Sequence, residues 1–177
     1  MLRAMTVSRK PPVIQPTPLP LSATGSTRRR HRRVIHRVRL EHLAVELLRI
    51  TGTLRLPVPV EVLWQNPPNT LWDKPSAETI VAGATPAIKA DTYPARWEAA
   101  VKLAVAAGST LWSPKVRLLG EAPFTDADVY IFARALLVPT PLIARLSERQ
   151  KTLEMIHTIF QAPLEEVEIR LEGLGML

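Results

Sequence analysis

Apolar positions recur at helical spacing early in the chain. Val38, Leu40, Leu43, Leu47, Leu48 and Ile50 supply a stripe of period 3.6. This predicts a helix from about Val34, with Gly52 as its stop. "LPVPVEVLWQ" follows, with Pro57 or Pro59 in a first helical turn and Val60, Leu63 and Trp64 facing inward. "NPPN" then breaks the chain. "TLWD", "ETIVAG" and "AIKAD" read as short strands between Pro and Gly turns, a hairpin or a sheet of about three strands. Helical patterns return over 94–108, 125–138, 141–159 and 163–172. Thr125 is a cap, and Asp126 and Asp128 in the first turn oppose the helix dipole. Helices, a small sheet, then helices give the expected class: α+β with helix dominating.

Composition adds a boundary. The chain has 177 residues, enough for one ordinary domain plus an appendage. No apolar run nears the roughly 18 to 20 residues that span a bilayer. The basic N-terminus lacks the apolar segment of a secretory signal, so neither membrane nor export is expected. Cysteine is absent, which excludes disulfides and thiolate metal sites. That fits the expected cytoplasmic location, although other compartments tolerate it too. The net charge of +7 is unevenly spread. Residues 1–40 hold ten Lys/Arg and no acid, whereas the rest holds thirteen Lys/Arg against sixteen Asp/Glu. Residues 1–33 therefore read as a disordered Pro- and Arg-rich arm, and residues 34–177 as the domain. Arg28, Arg29, Arg30, Arg32, Arg33, Arg37 and Arg39 are candidate phosphate contacts, because dense arginine releases counterions from a polyanion. No aromatic residue is interleaved with them, so base stacking is not implied.

"RWEAAVKLAVAAG" raises the question of chemistry. Ala99 to Ala107 make a nearly all-apolar helix suited to a domain centre, with Glu98 and Lys102 as an i,i+4 pair on its polar edge. This stretch, "AVELLRITGTLRLPVPVEVLW", "DADVYIFARALLVP" and "IFQAPLEEVEIRLEGLG" together resemble the ImmA/IrrE-type metallopeptidase family over roughly residues 38–175. The most specific pieces are "FARALLVP" (132–139) and the ending at 160–175. The resemblance implies a zincin-like domain with a His-Glu-x-x-His helix. It puts Val101 and Val105 at the histidine positions and Lys102 at the catalytic Glu. Asp126, or less readily Asp128, falls near the third ligand. Valine has no donor atom, and lysine cannot serve as a carboxylate base. The family match therefore implies a degenerate member with no metal, no cofactor and no catalysis.

Other candidates are plainer. His31, His36 and His42 sit in or beside the basic block and read as solvated side chains, while His157 reads as a partly buried structural histidine. The four tryptophans read as packing, or alternatively as an aromatic-lined groove. No nucleophile elbow or phosphate loop is present. The closing helix-break-helix loosely resembles a DNA-binding motif, but its second helix is acidic. The leading reading is a non-catalytic regulatory or protein-interaction module. By resemblance it is linked to phage, mobile-element or stress regulation, with a helix-turn-helix regulator as the implied partner. The alternatives are weak, sequence-independent nucleic-acid binding through the arm and, last, a residual zinc metallopeptidase.

Overall fold

The computed structural model describes residues 24–65, 92–110, 112–113 and 124–177, with side chains from residue 34 onward in the first stretch. Of these residues, 73% are α-helical and none lies in a strand. The described architecture is thus all-α, which corrects the expected α+β class. Helices cover one another here without help from a sheet. The three segments read as strands lie outside the described residues.

The elements are α1 (Thr24–Ile50), α2 (Val60–Gln65), α3 (Tyr93–Ser109), α4 (Asp126–Leu137), α5 (Thr140–Ile143), a 3-10 turn (Glu148–Gln150), α6 (Leu153–Phe160) and α7 (Leu164–Leu174). Helix α1 starts ten residues ahead of the expected Val34, so the Arg28–Arg33 run lies within the helix. It ends as foreseen, with Gly52 at φ +65°, a conformation that costs glycine least. Leu40, Leu43, Ala44, Leu47 and Leu48 are buried, whereas Val38 and Ile50 are exposed. The inward stripe is therefore narrower than the periodicity alone implied.

Helix α4 is the hub, packing on α1, α3 and α7. It is fixed at its start by a capping box in which Thr125 and Asp128 satisfy each other's backbone N–H groups. Phe132, Ala133, Leu136 and Leu137 are fully or almost fully buried along it, each large apolar side chain contributing about 1.5–3 kcal/mol. The face of α3 that meets α4 is made of small residues, including Ala99, Ala100, Ala104 and Ala107. Small side chains let the two helix axes come close.

The helix expected over 141–159 is broken into α5, the 3-10 turn and α6. Two competing caps explain the breaks. Ser147 and Gln150 form a capping box, and the Thr152 hydroxyl accepts from the Met155 N–H. Helix α6 stops at Gln161, which adopts φ +53°, and α7 begins just beyond Pro163. Among the described residues no helix is long and apolar enough to cross a membrane.

Gly108 marks the tightest approach. A Cβ there would lie 2.4 Å from Cγ of Phe124, whose ring packs against Phe132 at 5.5 Å between centroids. Gly108→Ala gains up to about 1 kcal/mol of helix propensity but forces the ring outward, at about 1–3 kcal/mol. We expect denaturant unfolding to show net destabilisation, and the cost of Gly108→Ala to be smaller in a Phe124→Ala background, where the Cγ and ring are gone. A Gly108→Ala protein more stable than the parent would contradict this packing.

Candidate functional site

Three of the positions that the family resemblance singled out, Val101, Lys102 and Val105, lie on α3. The inner face takes Leu103, Ala104, Ala106 and Ala107 into the core. Val101 is half-buried and packs against the core, whereas Val105 is 52% exposed, which corrects the expectation that it helps fill the domain centre. Register is the reason: at 100° per residue Val105 falls well away from Ala99, Leu103 and Ala106. Lys102 Nζ lies 2.7 Å from Glu98 Oε1, the i,i+4 pair read from the spacing. Asp126 is exposed in the first turn of α4, on a different helix from Val101, Lys102 and Val105. Among the described residues, no three His, Asp or Glu side chains cluster as a metal site.

Asp128 is the engaged carboxylate. Its Oδ2 accepts from the Thr125 N–H and hydroxyl at 3.1 and 2.8 Å. Its Oδ1 lies 2.8 Å from His36 Nε2, which ties α4 to α1. His36 is thus a tertiary contact rather than the free solvated histidine expected. Partial burial would raise the Asp128 pKa. The Thr125 hydrogen bonds, then His36, outweigh that and hold it below the usual carboxylate range.

Two buried arginines carry the main polar networks, and the sequence reading missed both. Arg96, 3% exposed, donates from Nη1 to Glu61 Oε2 at 2.8 Å. Its Nε donates to the Gln161 carbonyl at 3.1 Å and its Nη2 to the Val58 carbonyl. One side chain thus holds α2, α3 and the α6–α7 corner. Arg170, 2% exposed, grips both oxygens of Glu41, at 2.6 and 3.3 Å. It also donates to the Val138 carbonyl at 3.2 Å and to the Thr140 hydroxyl at 3.0 Å. Glu41 further accepts from Arg37 Nε at 3.1 Å. Burial of the Glu41 carboxyl raises its pKa, but the bonds and charge of Arg170, then of Arg37, win and lower it. One signal was available: Val167, Arg170 and Leu171 share the spacing of one inward face.

Beside this network, α1 and the start of α5 enclose a cleft of about 410 Å³. Val38, His42, Val45 and Arg49 form one wall, and Thr140 and Pro141 the other. Of the candidate phosphate contacts, Arg28, Arg29, Arg30, Arg32 and Arg33 ride on the first turns of α1. Arg37 is committed to Glu41, and Arg39 is exposed.

The described aromatic residues make packing contacts. Trp97 stacks on Tyr130 at 6.0 Å, and Arg134 lies over both rings at 5.7 and 5.9 Å while its Nε donates to Glu166 at 2.6 Å. Trp112 Nε1 donates to the Ala107 carbonyl at 3.0 Å. Trp64 is half-buried against the core, and Trp72 lies outside the described residues. His157 is structural, with Nδ1 2.6 Å from the Ala162 carbonyl and its ring edge-on to Tyr93.

No protein-family model matches the chain, and no curated protein or solved structure matches it.

Glu41 and Arg170 are expected to be mutually dependent. Glu41→Ala leaves a buried guanidinium unpaired and should cost about 3–5 kcal/mol in chemical unfolding. The joint change Glu41→Leu with Arg170→Met should cost less than Glu41→Ala alone. Because the folded pKa of Glu41 lies below its ordinary value of 4.5, the folded state binds fewer protons than the unfolded state between the two values. The pair's contribution is thus present above pH 4.5 and lost as pH falls through the folded pKa. Glu41→Gln should flatten that acid limb. An unchanged acid limb would remove the pair from the balance.

Proposed function

We propose that the protein is a non-catalytic regulatory module that works by binding another macromolecule. The carrying observation lies on α3. The i,i+4 positions that the resemblance marks are Val101 and Val105, and the residue between them, Lys102, is held as a cation by Glu98. The two valines have no atom that can ligate a metal, and Lys102 cannot take a proton as a carboxylate base. The resemblance to the ImmA/IrrE family belongs to this proposal. Its two most specific stretches fall on the α4–α5 junction and the α6–α7 corner, where Val138 and Gln161 receive the buried arginines. A helix-turn-helix regulator is the partner that the resemblance implies.

Helix α1 favours a second contact. It runs unbroken from the arginine block into the core, where Leu40 and Leu47 anchor it. The acid-free block is thereby carried on a helix able to meet a phosphate backbone without sequence preference.

Two measurements test these readings. Elemental analysis of the purified full chain should find no stoichiometric zinc, and peptide cleavage should be absent. One zinc per chain, with activity lost on chelation, would falsify the non-catalytic reading. Duplex DNA binding by the full chain should be weak, with a loss on the order of a thousandfold between about 50 and 200 mM salt if six phosphates are neutralised. Arg→Gln changes at positions 28, 29, 30, 32 and 33 should abolish it. Binding that survives them would place the nucleic-acid contact on the bundle.

A further inference from the structure

The first half of α1 carries an exposed apolar strip between arginine positions, and we propose that this strip docks on the surface of an anionic lipid bilayer, with the helix lying in the headgroup layer. Such an interfacial contact goes beyond the function proposed above and does not rest on it. It requires no membrane-spanning helix.

Val34 is 60% exposed, Val38 44% and Ile35 41%. At 100° per residue these three positions fall within about 100° of the helix surface, with position 31 among them. The buried Leu40, Leu43 and Leu47 take the opposite side, so the strip faces away from the bundle. Positions 30 and 37 fall within about 60° of one edge of the strip, and positions 28, 39 and 32 within about 60° of the other. All five are arginines, and residues 1–40 contain no acid. The acids of the neighbouring helices are turned away. Asp128, two residues after Asp126, lies on the side of α1 marked by His36, which is about 150° from the middle of the strip. Arg170 and Gly173 mark the side of α7 that meets α1. Glu165, Glu168 and Glu172 each fall at least about 110° from that side. Glu41 and Glu46 line the cleft along the second half of α1. The strip ends before both, and Glu41 is already held by Arg37 and Arg170.

The apolar residues decide between two polyanions. A nucleic-acid backbone answers the arginines but leaves Val34, Ile35 and Val38 in water. A bilayer boundary answers both. The apolar side chains enter the edge of the acyl layer, while long cationic side chains on either flank stay with the headgroup phosphates. Each arginine near an anionic surface strengthens binding about fivefold. The three half-exposed apolar side chains together add on the order of a hundredfold. These positions are helical before any contact, so the ordering cost that a coil bears on binding does not arise. Neither contribution suffices alone. Binding is therefore reversible, specific for anionic lipid and weakened by salt.

The test is co-sedimentation of the full chain with vesicles of phosphatidylcholine, alone or with about 30% phosphatidylglycerol, at about 50 and 500 mM salt. Binding to the anionic vesicles only is expected, at least roughly tenfold weaker at the higher salt. Val34→Gln with Ile35→Gln and Val38→Gln keeps the charge and the helix propensity. It should weaken vesicle binding at least roughly tenfold and leave any duplex DNA binding unchanged. Circular dichroism melts check the fold of this variant; its sites are exposed, so little change is expected. The chain has no cysteine, so Ile35→Cys and Glu172→Cys each accept a single environment-sensitive fluorophore. Emission should shift to shorter wavelength on anionic vesicles from position 35 and not from position 172. Equal binding to phosphatidylcholine overturns the proposal, as does vesicle binding that the three glutamines leave intact. A loss of DNA binding in step with vesicle binding overturns it too. Binding to DNA with no binding to anionic vesicles assigns the arginines to nucleic acid and overturns it equally.

Discussion

The pair between Arg170 and Glu41 is the constraint around which the bundle is arranged. A guanidinium 2% exposed is tolerated only where its donors and its charge are answered. Glu41 answers from α1, the Val138 carbonyl from the end of α4, and the Thr140 hydroxyl from the start of α5. Three stretches distant in sequence, at Glu41, at 138–140 and at Arg170, must therefore meet at one point. The apolar contacts would permit some sliding of α7 along α4. A bidentate ion pair with two further acceptors permits very little.

Arg96 plays the corresponding part at the other end. It joins the turn at Val58, the acid of α2 and the left-handed corner at Gln161. The small faces of α3 set the depth of contact, and the two arginines set the register. Between them lie Trp97, Tyr130 and Arg134, stacked on the surface and tied to α7 through Glu166. The histidines join the same scheme. His36 links α1 to the capping box of α4, and His157 closes the corner after α6.

Helices with strong local signals were legible from the sequence. Thr125 with Asp128 announced α4, Gly52 announced the end of α1, and the alanine-rich run announced α3. Three matters were not. The single helix expected over 141–159 is broken because Ser147 and Thr152 offer backbone groups a competing partner, an effect invisible to periodicity. Arg96 and Arg170 carried no mark of burial, because burial of an arginine depends on acceptors as far away as Glu41, 129 positions earlier in the chain. Val105 looked like core, because an apolar residue on an alanine-rich helix carries no mark of which face it occupies. The strands assigned to "TLWD", "ETIVAG" and "AIKAD" followed from β-branched residues between turn signals. The described core closes without any strand, through α1, α3 and α4.

The continuity of α1 has a thermodynamic consequence. Arg28 and Arg32, Arg29 and Arg33, and Arg33 and Arg37 each stand four residues apart, a spacing at which like charges oppose helix formation by a few tenths of a kcal/mol, about 0.2–0.5 per pair. The core end of α1 removes the cost of starting a helix, because Leu40 to Leu48 already hold its turns in place. Each added turn toward the N-terminus is then opposed chiefly by the mutual repulsion of its own arginines. A polyanion that neutralises those charges removes that penalty, so the length of the first helix and the occupancy of its basic half become two readouts of one equilibrium.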